Sequence, residues 1–250
     1  MTEINEKTIL RADPEELREM LKRLDIENPN YNLVLDELTR KASTDQLTGL
    51  LNRNMWPSKF LSELKYTDEN SKYLGCLLLD LDDFGQANKN LGHDFGDLLL
   101  NQLGICIRNQ LRNISQEQTT NRRSSKIIRP DIIGRYGGEE FIILAPQGYN
   151  NEKEALHGIR EVGKKVQLIG ETITTSALIH SPYVNPENYI TISLGCALYQ
   201  GQPEKSAEFY DPSFDRAKIG LHPLIQRADE ALKKAKLTGK NRSICLEEIV

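Results

Sequence analysis

Apolar residues along the chain cluster in short runs of strand length, separated by polar and glycine-containing segments. The first run, "GCLLLDLDDF", covers Gly75–Phe84 and ends in acidic residues. A second pair of runs in "RPDIIGRYGGEEFIILAP" surrounds Gly137-Gly138, and a further run, "NYITISLGCALY", covers Asn188–Tyr199. Because primed turns require positive φ angles, two glycines between apolar runs predict a β-hairpin. The pattern therefore predicts a hairpin and two further strands.

The segments between these strands carry apolar residues three and four positions apart, which is the spacing of an amphipathic helix. Such segments follow the first strand, the hairpin and the last strand, where "PLIQRADEALKKAKLTGKN" ends near Gly239. The order strand, helices, hairpin, helix, strand and helix predicts an α/β domain. We expect a mixed central sheet flanked by helices.

The first 44 residues are mostly polar and helical in pattern. Asp13 can cap a helix that begins at Pro14, and a second amphipathic helix is expected from about Leu33 to Ala42. The apolar face of the first of these helices would carry Leu17, Met20, Leu21 and Leu24. We predict an N-terminal helical extension over residues 1–42 and a larger domain over residues 43–250. The extension either contributes to dimerisation or signal transmission, or packs simply against the domain.

Composition is that of a water-soluble protein with a substantial core. The chain has 250 residues, of which 38% are hydrophobic and 27% charged, and its formal net charge is −4. A slightly acidic chain lacks the basic footprint of a nucleic-acid-binding protein, so no nucleic-acid partner is expected. No apolar run reaches the roughly 18 residues that span a bilayer, and the polar N-terminus has no signal-peptide core. We therefore expect a cytoplasmic protein without a membrane segment.

Acidic side chains stand where the predicted strands end. Asp80, Asp82 and Asp83 follow the first strand, and Glu139 and Glu140 lie at the predicted hairpin tip. Carboxylates held close together raise each other's pKa unless a cation intervenes, and hard oxygen ligands suit Mg²⁺ with substrate phosphates. A metal site is one interpretation. The other is an exposed turn with solvated acids.

Five motifs, in order, give the chain a resemblance to the GGDEF family, the diguanylate cyclases. They are "DQLTGLLNR" from Asp45, "DLDDF" with a downstream Asn and "GHDFGD", "RYGGEEF" from Arg135, "ISLGCA", and "ADEALKKAKLTGKN". The match runs from about Ser43 to Arg242 and carries the Glu variant of the family's name motif. The resemblance implies a palm-like fold, related to the ferredoxin-like fold. It also implies condensation of two GTP into cyclic di-GMP and two pyrophosphates in a homodimer.

The resemblance also assigns roles to individual residues. Asp80 and Glu139 match the metal-binding carboxylates, Leu81 would offer its carbonyl, and Glu140 matches the acid that helps deprotonate the attacking 3′-hydroxyl. Catalysis is thus expected from Glu139 and Glu140, assisted by Mg²⁺ or Mn²⁺, with two ions in each active site. Asn88 and Asp97 match the guanine readers, since a carboxylate can accept both N–H groups of guanine. The residues expected to contact substrate are Phe84, Asn88, Lys89, Asp97, Gly137, Gly138, Lys236 and Lys240.

Three positions in the active-site motifs depart from the family pattern. Gly85 stands where the family has a lysine that contacts the phosphates, Lys89 stands where it has Asp, and Lys240 stands where it has Arg. Because residues four apart share a helix face, Lys89 is expected to replace in part the lysine missing at position 85. Lysine at position 240 keeps the charge but loses the bidentate fork of arginine.

The inhibitory product site of the family also looks altered. Its RxxD pattern would end at Asp131, but Ile128 occupies the arginine position and Arg129 lies one place too late. We therefore predict weak or absent product inhibition through this site. The chain is also longer than the family pattern near residues 113–126 and 201–222, where surface insertions are expected.

The predicted function is that of an active diguanylate cyclase. One alternative is a catalytically weak domain that binds GTP or cyclic di-GMP and regulates a partner, for which Gly85 and Lys240 are the motivation. Another is a related cyclase acting on ATP, against which Asp97 argues. The candidate partners are GTP, a second copy of the chain and an upstream sensor protein.

Overall fold

The computed structural model describes residues 4–119, 130–146, 149, 151–180, 190–205 and 216–246. The chain forms two compact units, residues 1–46 and residues 47–250. In the described ranges, no helix combines the length and the apolar character that crossing a bilayer requires.

The N-terminal unit is made of three helices with clear capping signals. Asn5 and Asp13 each form a capping box at the start of a helix, and Asn28 caps the third helix. This cap and a proline at the first helical position begin the third helix four residues before the predicted Leu33. A small apolar core joins the helices, and the four predicted residues of the second helix belong to it. The helices are α1 (Glu6–Arg11), α2 (Pro14–Arg23) and α3 (Pro29–Ser43).

The larger unit is an α/β domain with a mixed five-stranded sheet, so the predicted fold class is confirmed. The strand order is β2-β3-β1-β4-β5, in which β4 and β5 are parallel and the other pairs antiparallel. The strands are β1 (Tyr73–Leu81), β2 (Ile132–Gly137), β3 (Glu140–Ala145), β4 (Ile192–Gln200) and β5 (Ser243–Cys245). The helices are α4 (Trp56–Glu69), α5 (Phe84–Leu91), α6 (His93–Thr119), α7 (Glu152–His180) and α8 (Pro223–Leu237), with 3₁₀ helices at Pro203–Lys205 and Arg216–Leu221.

Each face of the sheet is covered by helices because the strands alternate between two buried sides. Leu77, Leu79 and Leu81 of β1 belong to a core with residues of α6 and α7. Cys76 and Leu78 point to the opposite core, which α4 and α8 complete. On that second face α8 lies directly on Gly195 of β4, where a Cβ atom would come within 2.1 Å of the helix backbone. Close approach of α8 therefore requires glycine at this position.

Several elements differ from the sequence-based expectation. The hairpin turn is formed by Gly138 and Glu139, one residue later than the expected Gly137-Gly138 turn, because β2 continues through Gly137. The polar stretch expected as an insertion near residues 113–126 is helical up to Thr119, as part of α6. The remainder of that stretch lies outside the described residues, as do residues 206–215 of the other expected insertion. All four cysteines are free thiols, and Cys76 and Cys196 are buried.

Candidate active site

Asp80 and Glu140 stand side by side at one end of the sheet. They are direct partners in the antiparallel register of β1 and β3, and Ser193 of β4 is the partner of Asp80 on the other side. Directly opposed residues share a sheet face, so both carboxylates lie on the face that α8 covers. The pairing of β3 with β1 therefore brings Glu140 to Asp80.

Lys236 of α8 reaches this pair from above the sheet. Its Nζ lies 2.7 Å from Asp80 Oδ2, and Asp80 is only 6% exposed. The helix can place Lys236 here because α8 runs across β4 toward the carboxyl end of β1. The partly exposed ammonium group is thus a counter-ion for the buried Asp80 carboxylate.

The pKa values of two carboxyl groups in this site, Asp80 and Glu140, are raised above their usual values. Burial is the largest cause that raises the pKa of Asp80, and Glu139 and Asp82 add to it while Lys236 opposes it. Burial also raises the pKa of Glu140, followed by repulsion from Asp80, with Lys236 again opposing. Both shifts mean that additional positive charge in the site would be stabilising.

The hairpin turn presents backbone rather than side chains next to Glu140. Gly138 adopts a φ of +37°, and nothing would contact a Cβ atom placed on it within 4 Å. A Cβ atom on Gly137 would meet only the Glu140 carboxylate, at 3.7 Å. Arg135 closes the turn by donating from Nε to the Gly138 carbonyl at 2.9 Å. The tip is therefore open to a bulky ligand, as its two glycines suggested.

Asp82 holds the loop that follows β1, a role that its position in the sequence did not reveal. It is 3% exposed and accepts hydrogen bonds from Thr191 Oγ1 at 2.7 Å, Ser193 Oγ at 2.8 Å and the Asn241 amide at 3.0 Å. These donors come from β4 and from the segment after α8. Asp82 therefore fixes the end of β1 relative to both, and only the fold brings its partners to it.

Asn88 and Asp97 lie on consecutive helices, α5 and α6. The Asn88 side chain lies against Gly96, since a Cβ atom there would be 1.9 Å from Asn88 Oδ1. That amide oxygen is buried and has no hydrogen-bond partner among the described residues. Asp97 follows Gly96 directly and is exposed. The structure thus packs Asn88 against the residue that precedes the exposed Asp97 carboxylate, with a buried amide oxygen that lacks a partner among the described residues.

The positions that depart from the family pattern are all accessible. Gly85 lies in the first turn of α5 with open space around it, and Lys89 is exposed one turn later in the same helix. Phe84, between Asp83 and Gly85, is buried against the core. Lys240 pairs with Asp83, Nζ to Oδ1, at 2.6 Å, and both residues adopt positive φ angles. Lys240 is therefore next to the loop after β1.

The described residues offer an incomplete metal site. No group of three or more His, Cys, Asp or Glu side chains among them is arranged to hold a metal ion by itself. Asp80 and Glu139 nevertheless supply carboxylates near Leu81, the last residue of β1, and the negative charge there is in excess. One or two carboxylates completed by substrate phosphates are the usual protein ligands of Mg²⁺, so the residues fit such an ion.

The altered product site is only partly described. Asp131 directly precedes β2 and is half-buried, whereas residues 120–129 lie outside the described ranges. Weak product inhibition through Asp131 therefore stays a prediction.

Comparison with known proteins agrees with the motifs. The family profile described as "Diguanylate cyclase, GGDEF domain" matches residues 42–242. The diguanylate cyclase DosC of Escherichia coli K12 is 31% identical over 211 residues, which are 84% of this chain and 36% of DosC. The cyclic di-GMP phosphodiesterase NbdA of Pseudomonas aeruginosa is 27% identical over 226 residues, 87% of this chain and 23% of NbdA. The chain thus spans about a third or less of these curated relatives.

A solved structure shows the same fold. The coiled coil and GGDEF domain of DgcB from Caulobacter crescentus, in complex with c-di-GMP, matches with a TM-score of 0.60 and 21% identity, covering 94% of this chain and all of that one. Because the family profile spans most of the chain and the sheet and helices agree with this fold, the chain belongs to the GGDEF-domain family of diguanylate cyclases.

Proposed function

We propose that this protein condenses two GTP molecules into cyclic di-GMP, releasing two pyrophosphates. The observation that carries the proposal is the Asp80–Glu140 pair, opposed in register at the strand ends, in which Asp80 forms an ion pair with Lys236. Nothing in the packing of the sheet requires two carboxylates and a lysine at this position. A site for a metal–triphosphate does require them.

The chain's own groups can perform the reaction in a simple sequence. Asn88 and Asp97 hold the guanine of one GTP, and Lys236 and Lys240 hold its phosphates near the open hairpin tip. The 3′-hydroxyl of a second GTP loses its proton to Glu140. Its oxygen then forms a bond to the α-phosphorus of the first GTP, and the bond between that phosphorus and the bridging oxygen breaks as pyrophosphate leaves. A second, equivalent step closes the ring.

Divalent cations, Mg²⁺ or Mn²⁺, would be held by Asp80, Glu139 and the Leu81 carbonyl. When bound, such an ion lowers the pKa of the attacking hydroxyl and neutralises charge on the phosphates. The excess negative charge around Asp80 and Glu140 supports this assignment. Lys236 would then exchange Asp80 for the triphosphate.

Catalysis is proposed to need a homodimer, since one active site binds one GTP through Asn88 and Asp97 and the attacking nucleotide must come from elsewhere. A second copy that carries its own GTP supplies it, so each chain needs only one complete GTP-binding site. The alternative function is regulatory binding of GTP or cyclic di-GMP by a weakly active domain. The missing side chain at Gly85 and the engagement of Lys240 with Asp83 favour this alternative.

One experiment separates the two functions. The purified protein is incubated with GTP and Mg²⁺ or Mn²⁺ at several protein concentrations, and the products are identified by mass spectrometry. We expect the wild type to produce cyclic di-GMP. Glu140→Gln should lower the rate by at least about 100-fold, which is the loss typical of a general base. Glu152→Gln, an exposed acid in the first turn of α7, is the control. Bound but unconverted GTP at dimeric concentrations would support the regulatory function instead.

A further inference from the structure

A cavity of about 250 Å³ lies beside Glu140 on the face of the sheet that α8 covers. It is bounded by the hairpin, by α8 and by the 3₁₀ helix Arg216–Leu221. Its floor is apolar and is formed by Leu78, Ile225 and Leu232. Its polar groups come from Tyr136, Gln226 and Asp229, together with Glu140 itself. The roles assigned above to the active-site residues do not use this cavity.

The polar groups of the cavity are mostly acceptors. Glu140 and Asp229 are carboxylates, and Gln226 adds an amide with one oxygen acceptor and an NH2 donor group. Burial raises the pKa of the Tyr136 hydroxyl, followed by repulsion from Glu140 and Asp229, so this group stays protonated and can donate. A small ligand with several hydroxyl donors and one acceptor, resting on an apolar floor, matches these groups. A sugar ring has this chemistry.

The position of the cavity relative to Lys236 and Lys240 indicates which nucleotide the cavity would receive. Glu140 interacts electrostatically with both Lys236 and Asp229, which are seven residues and thus about 10 Å apart along α8. The leaving pyrophosphate belongs at Lys236 and Lys240. Phosphoryl transfer places the attacking and leaving oxygens roughly in line. The attacking hydroxyl therefore approaches from the other side of Glu140, where the cavity opens.

We propose that this cavity receives the ribose of the attacking nucleotide, with its 3′-hydroxyl at Glu140 and its 2′-hydroxyl donating to Asp229 and accepting from the Gln226 amide group. This inference rests on the proposed function. It makes Asp229 and Gln226 the residues that select a ribonucleotide as the attacking partner. The exposed Lys233, 2.5 Å from Asp229 Oδ2, leaves the other lone pairs of that carboxylate available.

Under this proposal, part of the expected insertion near residues 201–222 forms a wall of the ribose-binding cavity. Its last part, the 3₁₀ helix, is anchored by the buried Ile219 and places Gly220 against Tyr136. A Cβ atom on Gly220 would lie 3.2 Å from the Tyr136 hydroxyl. The insertion thus closes one wall of the cavity and leaves just enough room for the tyrosine.

The test compares turnover of GTP with turnover of 2′-deoxy-GTP, which keeps the attacking 3′-hydroxyl. The variants are Asp229→Asn and Gln226→Ala, and the control is Glu230→Gln, an exposed neighbour on α8 paired with Arg227 at 3.1 Å. We expect the wild type to prefer GTP by a ratio that falls on the order of tenfold in Asp229→Asn and severalfold in Gln226→Ala. The control keeps the wild-type ratio. Any effect of the deoxy sugar on the other nucleotide is the same for all variants and cancels in the comparison.

Equilibrium binding distinguishes selection of the attacking ribose from binding of the first nucleotide. In a Glu140→Gln background, we expect the affinities for GTP and 2′-deoxy-GTP to be unchanged by Asp229→Asn. Equal loss of binding and turnover would overturn the proposal, because Asp229 would then act on the first nucleotide. Active variants with the wild-type turnover ratio would overturn the proposal while leaving the proposed function intact. A wild type that makes no cyclic di-GMP would overturn both.

Discussion

Lys236 on α8 and Asp80 at the end of β1 form a 2.7 Å ion pair in which the carboxylate is buried and the ammonium is partly exposed. The same aspartate is the cross-strand partner of Glu140. Lys236 is therefore the positive charge beside two carboxylates whose pKa values are raised, in both cases chiefly by burial. When a metal–nucleotide binds, its metal ion would replace the Lys236 ammonium as the positive charge next to Asp80.

Lys236→Met should weaken GTP binding and destabilise the unliganded protein. The substitution removes a phosphate contact and leaves the buried Asp80 without its counter-ion, at a cost of about 1–3 kcal/mol in a partly exposed pair. Lys234→Met, at an exposed position of the same helix, is the control. Urea denaturation measures stability, and titration with GTP measures affinity. Unchanged stability together with unchanged affinity would contradict the proposed role of the pair.

Gly85→Lys should tighten GTP binding severalfold, because it restores a cation that Lys89 replaces only in part. Open space around Gly85 accommodates the side chain, and loss of a glycine in the first turn of α5 should add at most about 0.5–1 kcal/mol of stability.

Lys89→Ala tests this compensation from the other side. It should weaken GTP binding in the wild type and less so in the Gly85→Lys background, a coupling that a double-mutant cycle measures. If Lys89→Ala left GTP affinity unchanged in the wild type, the compensation would not exist.

Asp82→Asn should destabilise the domain by about 1–3 kcal/mol, because an amide nitrogen cannot accept the hydrogen bonds that the second carboxylate oxygen receives. Its turnover should also fall, since Asp82 positions the loop that carries Leu81 and Asp83. Asp83→Asn is a matched control at the next residue, where the side chain is 67% exposed. Its stability should stay within about 0.5 kcal/mol of the wild type. Chemical denaturation would compare the stabilities of Asp82→Asn and Asp83→Asn, and activity assays would compare their turnover.

His222, at the start of α8, should make the stability of the domain depend on pH. It is 5% exposed, its Nδ1 accepts the Leu224 amide at 3.2 Å at the start of α8, and burial lowers its pKa from 6.5 to about 4. Because the folded-state pKa is depressed, this contribution is fully present above pH 6.5 and is lost as the pH falls toward about 4. The loss should be at most about 3 kcal/mol.

His222→Asn is the test of this pH dependence, because asparagine retains a capping oxygen but does not titrate. Denaturation curves between pH 7 and pH 4 should show a smaller decline for the variant than for the wild type. Parallel declines would assign the acid sensitivity to other groups.

Much of the site could be predicted because short patterns in the sequence indicate it. The apolar run before Asp80 and the glycines before Glu139 and Glu140 predict a strand end and a hairpin whatever the rest of the fold is. Capping by Asp13 was equally local, and the structure confirms it. Helix α4 escaped prediction although Trp56, Phe60 and Leu64 have helical spacing, and so did β5, whose three residues are too few for a pattern.

The sequence by itself determined which residues carry charge and which segments form strands, helices and the hairpin. The tertiary structure alone decided the register that opposes Asp80 to Glu140 and the approach of α8 over Gly195 that brings Lys236 to them. It also decided the bonds that Asp82 receives from β4 and Asn241. Local periodicity records which face of an element is buried. Pairing between residues 60 or more positions apart, such as Asp80 and Glu140, depends instead on how whole elements pack, which no single segment encodes.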